Sequence, residues 1–184
     1  EMYPDEEEQT FDLGGLDRVM EGKYRQGHFN GVAQIVSRLF MLVGPTRAYF
    51  GQKDFQQLVI VRRLVELLDM DLSIVSCPII REKDGLAMSS RNTRLSKEER
   101  KLAPFMFETL REARELTGDH TPEQLKEWVK LQFDRQSGLK LEYFEIVEDK
   151  GLTPIAAWDE KVNKVACLAV QLGEVRLIDN LKFD

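Results

Sequence analysis

From Gly31 onward, the apolar residues Val32, Ile35, Val36, Leu39, Phe40 and Val43 recur at helical spacing, and Gly44-Pro45 closes that run. Upstream, the first dozen residues are acidic and are expected to be frayed or extended. Gly14-Gly15-Leu16 reads as a turn feeding a short helix through Met20, and Gly27 breaks the chain. The run Ala48-Tyr49-Phe50 predicts a short buried strand. A helix over about 54–68 follows, apolar on more than one face (Leu58, Val59, Ile60, Val61, Leu64, Val65, Leu67, Leu68), as a helix packed between a sheet and other structure requires. Residues 72–77 predict a second strand, stopped by Pro78. Helix, strand, helix and strand in that order imply a parallel sheet in an α/β layer.

The pattern changes after Pro78. Residues 81–94 are polar and irregular. Ser96-Lys97-Glu98-Glu99 has the capping-box form and opens a helix to about Leu116, with Pro104 either bending it or marking its true start. Thr121-Pro122-Glu123-Gln124 opens another, whose inner stripe is Leu125, Trp128, Val129 and Phe133. Leu139, Leu141 and Tyr143 alternate with polar residues before Phe144 and Ile146 shift phase, which predicts a bulge or a strand buried on both faces. Residues 165–172 and 175–178 read as a hairpin across Gly173-Glu174. Two domains are therefore expected: 1–79, an α/β half, and 80–184, a smaller α+β domain.

Charge and composition narrow the function classes. A net charge of −6 disfavours broad nucleic-acid binding, because an acidic chain repels a phosphate backbone. No apolar run is long enough for a membrane span, and the acidic start is unlike a signal peptide. Cys77 and Cys167 read as buried thiols of a reducing, cytoplasmic compartment, with a single disulfide between them left open. His28 and His120 lack neighbouring ligands, so no metal centre is expected from this chain.

Three segments carry candidate chemistry. Phe50 to Gln57 sits where a strand ends and a helix begins, the place at which open α/β sheets bind ligands. Gly51 permits close approach of a ligand, Lys53 lies near a helix N-terminus that favours anions, Asp54 suits a ribose hydroxyl, and Gln57 lies one turn on from Lys53. An N-cap aspartate beside a solvated lysine would leave the same letters. Adjacent amides at Gln56 and Gln57, however, are not what packing alone demands. The second segment, 81–92, sets Ser89 and Ser90 beside the forked cation of Arg91, groups that grip polyphosphate. A polar surface loop turning at Asp84-Gly85 is the alternative; the apolar Leu86-Ala87-Met88 patch favours a loop that docks, at a domain boundary where a cleft would form. The third, 25–31, frames His28 and Arg25 between glycines, and for His28 alone a structural turn explains it as well.

Taken together these segments resemble the pantothenate synthetase (pantoate–β-alanine ligase) family. Its pattern runs G-H-F-x-G-V, F-G-x-K-D-x-Q-Q-L, P-I-x-R-x-x-D-G-L-A-M-S-S-R-N and R-L-I-D-N. This chain has residues 27–32, 50–58, 78–92 and 176–180 in matching order and spacing. The resemblance implies a partial Rossmann-like nucleotidyltransferase domain followed by a small α+β C-terminal lid domain. It implies a two-step, ATP-dependent condensation: pantoate carboxylate attacks the α-phosphorus of Mg²⁺-ATP to give pantoyl adenylate, and β-alanine then displaces AMP.

By the same resemblance, Lys53, Ser89, Ser90 and Arg91 act on the phosphates, and Gly51 and Asp54 hold the ribose. The backbone near Ile80 meets adenine, Gln57 binds pantoate, and Arg25 contacts the phosphate end. The family works in the cytoplasm and is expected to be a homodimer when intact. Arg94 departs from a position where the family often has an aromatic residue. A larger departure is that the family's P-T-M-G-x-L-H-x-G-H segment, with its two histidines and the acidic residues near Mg²⁺, has no counterpart here. The chain thus looks like the C-terminal two-thirds of the enzyme, expected to be inactive by itself.

Overall fold

The computed structural model describes residues 9–183. Contacts divide the chain into two compact units, Glu1–Cys77 and Pro78–Asp184.

The first unit holds helices α1 (Met20–Tyr24), α2 (His28–Val43) and α3 (Phe55–Leu67) with strands β1 (Arg47–Gly51) and β2 (Ser73–Cys77). The strands pair in parallel, from Arg47 opposite Ser73 to Gly51 opposite Cys77, with α3 as the crossover. Parallel neighbours need such a crossover, and α3 supplies the apolar cover through Leu58, Ile60, Val61 and Leu64. Gly27 and Gly44, both left-handed, bracket α2, so the helix starts at His28, three residues before the apolar pattern does.

Several expectations for this unit need correcting. Phe11 and Leu13 are buried and the Phe11 amide donates to Asn30 Oδ1 at 2.9 Å, so the end of the acidic leader is packed rather than frayed; residues 1–8 lie outside the described part. The short helix begins at Met20 instead of ending there, because residues 14–18 are consumed by consecutive turns. The buried face of α2 is Phe29, Ala33, Val36, Ser37 and Phe40, while Leu39 and Val43 of the apolar run point outward. Strand β1 is not buried: its residues alternate between exposed and half-buried, and Tyr49 is 65% exposed. Its only strand neighbour among the described residues is β2, and a two-stranded sheet cannot enclose both faces. Cys77, at the end of β2, is half-buried instead of buried; neither it nor buried Cys167 is in a disulfide.

The second unit holds helices α4 (Lys97–Leu102), α5 (Phe105–Glu115) and α6 (Pro122–Arg135) and strands β3 (Leu139–Glu148), β4 (Lys164–Leu172) and β5 (Val175–Lys182). The strands form one antiparallel sheet in the order β3-β4-β5. Its register slips between Leu141 and Tyr143, the bulge that the change of phase predicts. Met106, Leu110, Leu125, Val129, Ile146 and Leu168 are fully buried between helices and sheet. Pro104 does mark a start: it caps α5, and α4 ends before it. Both predicted helix starts carry reciprocal capping boxes, Ser96 with Glu99 and Thr121 with Gln124. The Ser96 amide and hydroxyl hold the Glu99 carboxyl below its ordinary range.

Candidate functional site

In the first unit, Gly51 closes β1, Gln52-Lys53-Asp54 forms a single 3-10 turn, and α3 starts at Phe55. This puts Gly51, Lys53, Asp54 and Gln57 along one strand-to-helix turn. A Cβ on Gly51 would meet nothing within 4 Å, so the chain's own packing does not require glycine there, and the space above it is open. Asp54 is exposed and its side chain makes no capping hydrogen bond, which removes the N-cap explanation for that residue. Lys53 and Gln57 are half-buried.

Gln56 has a different role from Gln57. Its Nε2 donates to the carbonyls of Leu16 and Val19 at 2.6 and 2.9 Å, and its Oε1 accepts the amide of Glu21 at 2.9 Å. The pair of amides is therefore split: Gln56 is a structural tie, and only Gln57 remains for a ligand. Arg25 is exposed at the end of α1, and its carbonyl accepts the His28 amide at 3.1 Å. His28 begins α2 and stacks obliquely on Phe29 with ring centroids 5.0 Å apart.

In the second unit, residues 80–88 make a tight hairpin. The Met88 amide donates to the Ile80 carbonyl at 2.9 Å, the Glu82 amide to Leu86 at 2.8 Å, and Arg81 bridges Ala87. In the backbone near Ile80, expected to meet adenine, the Ile80 carbonyl already accepts one hydrogen bond, while the Ile80 side chain is exposed. The turn is reached at Gly85, whose φ of +91° and close approach to the Phe107 ring, 2.4 Å from where a Cβ would lie, admit only glycine.

Beyond the hairpin, Ser89 caps the 3-10 helix Ser90–Arg94 by accepting the Arg91 amide at 3.2 Å. Ser90 and Arg91 are exposed, and Arg91 makes no ion pair among the described residues. An open cleft of about 730 Å³ is lined by Met88, Ser89, Ser90, Asn92 and Arg100. Asn92 donates to the Ala87 carbonyl at 3.1 Å, while its Oδ1 is buried without a partner among the described residues. Arg100 reaches Asp84 at 2.6 Å, and this hydrogen bond holds the Asp84 carboxyl below, and the Arg100 guanidinium above, their ordinary values.

The sequence alone assigned no role to Arg81, Asp84, Arg100, Phe107 or Asp179. Arg81 lies under the hairpin with its guanidinium carbon 3.8 Å from the Phe107 ring centroid, paired with Asp179 of β5. A signal was present, because Arg81 and Asp179 are fixed positions of the two motif segments at opposite ends of this unit. No group of three His, Cys, Asp or Glu residues comes together among the described residues, so they provide no metal cage. No helix among them is long and apolar enough to cross a membrane.

Comparison with known proteins agrees with the motif reading. A family model described as pantoate-beta-alanine ligase matches residues 1–182. Pantothenate synthetase of Porphyromonas gingivalis is 52% identical over the whole chain, and that of Bacteroides thetaiotaomicron 50%. The chain spans 66% and 65% of the length of these two relatives. Among solved structures, the pantothenate synthetase of Thermus thermophilus superimposes with a TM-score of 0.90 at 39% identity, covering 99% of this chain and 66% of that one. The Francisella tularensis pantoate-beta-alanine ligase, solved with β-γ ATP and β-alanine, gives 0.67 at 30% identity over 91% of this chain and 55% of that one. The architecture is accordingly α/β, a nucleotidyltransferase-like fold followed by a C-terminal domain, and the chain belongs to the pantoate–β-alanine ligase family.

Proposed function

We propose that this chain serves the ATP-dependent condensation of pantoate with β-alanine, through a pantoyl adenylate, to give pantothenate, AMP and pyrophosphate. In the first step a carboxylate oxygen of pantoate bonds to the α-phosphorus and pyrophosphate leaves with the electron pair of the broken P–O bond. In the second the β-alanine amine bonds to the acyl carbon, loses a proton and expels AMP. Such a reaction depends on positioning and charge neutralisation more than on covalent chemistry by the protein.

The observation that carries this reading is the state of the 89–91 segment: an exposed Arg91 with no ion pair among the described residues, beside exposed Ser90, directly after a tightly bonded hairpin. A cation presented this way suits phosphate oxygens, with Ser89 and Ser90 as hydroxyl donors. Lys53 adds charge at the turn before α3, Asp54 accepts from the ribose beside the open Gly51 backbone, and Gln57 binds pantoate. The Ile80 main chain meets adenine and Arg25 the phosphate end. ATP brings Mg²⁺ with it, but the described residues offer no carboxylate cluster to hold the ion, so no step here is assigned to it. A cytoplasmic homodimer is the expected setting.

The test joins this chain to the remaining third of the P. gingivalis relative and follows AMP release. Release that requires pantoate and β-alanine, with pantothenate formed in equal amount, is expected. A soluble, folded chimera that makes no AMP overturns the proposal.

A further inference from the structure

We infer that the pair of half-buried Arg81 and buried Asp179 is a positioning device that clamps the 80–88 hairpin to β5 and so helps set where Ser89, Ser90 and Arg91 stand; that its beneficiary is polyphosphate rests on the ATP reading above. Arg81 Nη1 donates to Asp179 Oδ2 at 2.6 Å and to the Gly85 carbonyl at 3.0 Å. Nη2 donates to Asp179 Oδ1 at 3.0 Å and to the Asn180 carbonyl at 3.2 Å. The ring of Phe107 lies against the guanidinium face. One side chain therefore ties the root of the hairpin to its tip at Gly85 and to β5.

The far end of the clamp is firm. Asp179 and Asn180 sit within the β4–β5 ladder, opposite Leu168 and Cys167, and the Asn180 amide donates to Asp179 Oδ1 at 2.8 Å. The Asp179 side chain is 3% exposed, and that of Arg81 18%. A pair this far from water is held in one geometry, whereas the Asp84–Arg100 pair on the same hairpin is more open to solvent. The 89–92 segment is secured by short-range bonds: Arg91 N to Ser89 Oγ, Asn92 N to the Ser89 carbonyl, and Asn92 Nδ2 to the Ala87 carbonyl. Its hydrogen bonds run back to the hairpin, while residues 90–94 also lie against β5, so hairpin and strand together place the segment. Only an arginine can fill this role, since the fork meets the carboxylate with two nitrogens and still reaches two carbonyls; a lysine offers a single point charge.

Removing Asp179 alone would leave the half-buried Arg81 cation without its carboxylate, so the test uses two other variants of the 184-residue chain. Arg81→Met combined with Asp179→Leu removes the pair and leaves no orphan charge. Arg81→Lys keeps the charge and loses the fork. Residue-resolved hydrogen exchange without nucleotide is expected to show the Glu82 and Met88 amides exchanging at least about tenfold faster in both variants, while the β4–β5 amides keep their protection. Unchanged exchange at Glu82 and Met88 overturns the clamp.

A second arm reads ATP affinity in a double-mutant cycle with Arg91→Ala. Acting through the loop, the Met/Leu pair should weaken ATP about tenfold in the parent and less than about twofold once Arg91 is gone. Equal losses in both backgrounds would mean a general effect on the fold and would overturn the positioning role. This arm is run in the chimera described above; a chimera that binds no ATP counts against the ATP reading, and the exchange arm still decides the clamp.

Discussion

The amide of Glu21 donates to Gln56 Oε1 at 2.9 Å, across 35 positions of sequence, and joins the start of α1 to the first turn of α3. With the two further bonds from Gln56 Nε2 to Leu16 and Val19, one buried side chain satisfies three main-chain groups of the 16–21 segment. Gln56→Ala would leave them without this partner. It should cost about 2–4 kcal/mol of stability, since each stranded buried group costs roughly 1–3 kcal/mol and water recovers part. Gln57→Ala, at a half-buried neighbour, should change stability by less than about 0.5 kcal/mol and instead lower affinity for pantoate. Urea unfolding of the two variants checks the contrast; equal destabilisation would remove the division of labour.

The same residue pair shows where sequence reading succeeds and where it stops. The order of elements, the parallel pair, the capping boxes and the β3 bulge follow from local signals, because spacing and capping chemistry act within a few residues. Gln56 escaped because its partners are 35 to 40 positions away and nothing local marks a side chain that folds back on them. The exposure of β1 escaped for a related reason: Ala48-Tyr49-Phe50 is apolar enough for a buried strand, but burial is decided by what lies beside the sheet. At the candidate site, Lys53, Ser89, Ser90 and Arg91 were legible from motif and residue chemistry. Arg81 and Asp179 are both fixed motif positions, but they lie 98 positions apart and only the fold pairs them.

Gly85 offers a sharper test of the hairpin. Its φ of +91° disfavours any side chain, and an added Cβ would collide with the Phe107 ring that also packs on Arg81. Gly85→Ala should therefore destabilise the second unit by about 1–3 kcal/mol, from backbone strain and displacement of the ring. A joint Gly85→Ala, Phe107→Ala change relieves only the collision, so it should recover little. Thermal unfolding followed by tryptophan fluorescence, with Trp128 and Trp158 both in this unit, measures it. A variant as stable as the parent would mean that the turn adjusts freely.

Lys53→Ala and Arg91→Ala separate binding from folding. Lys53 is half-buried and Arg91 exposed, and each sits on a short 3-10 segment outside the buried core. Arg91→Ala should keep its stability within about 0.5 kcal/mol, while ATP affinity in the chimera drops by about 1–3 kcal/mol for each variant, the range for a lost charged hydrogen bond. Calorimetry with ATP reads the effect directly. Unchanged affinity in both would take the phosphate assignment away from these residues.

The Asp84–Arg100 pair predicts a pH dependence with a definite sign. Chiefly through the hydrogen bond from Arg100, against a smaller burial cost and with help from the Leu86 amide, the Asp84 carboxyl is held below its ordinary value of 3.8 in the folded chain. The unfolded chain then binds the extra proton first as pH falls. The stabilisation is complete above pH 3.8 and is lost as pH drops further, through the folded value. Arg100 is shifted the other way, above its already high ordinary value, so its own titration plays no part near neutrality. The side chains are 34% exposed for Arg100 and 42% for Asp84, which limits the pair to under about 1 kcal/mol and makes it sensitive to salt. Urea unfolding of Asp84→Asn against the parent should show a small deficit at about pH 6 that shrinks below pH 3.8 and in high salt. A deficit that stays constant through the acid range would show that Asp84 supports the hairpin through the Leu86 amide alone, a contact that asparagine could partly keep, and not through its charge.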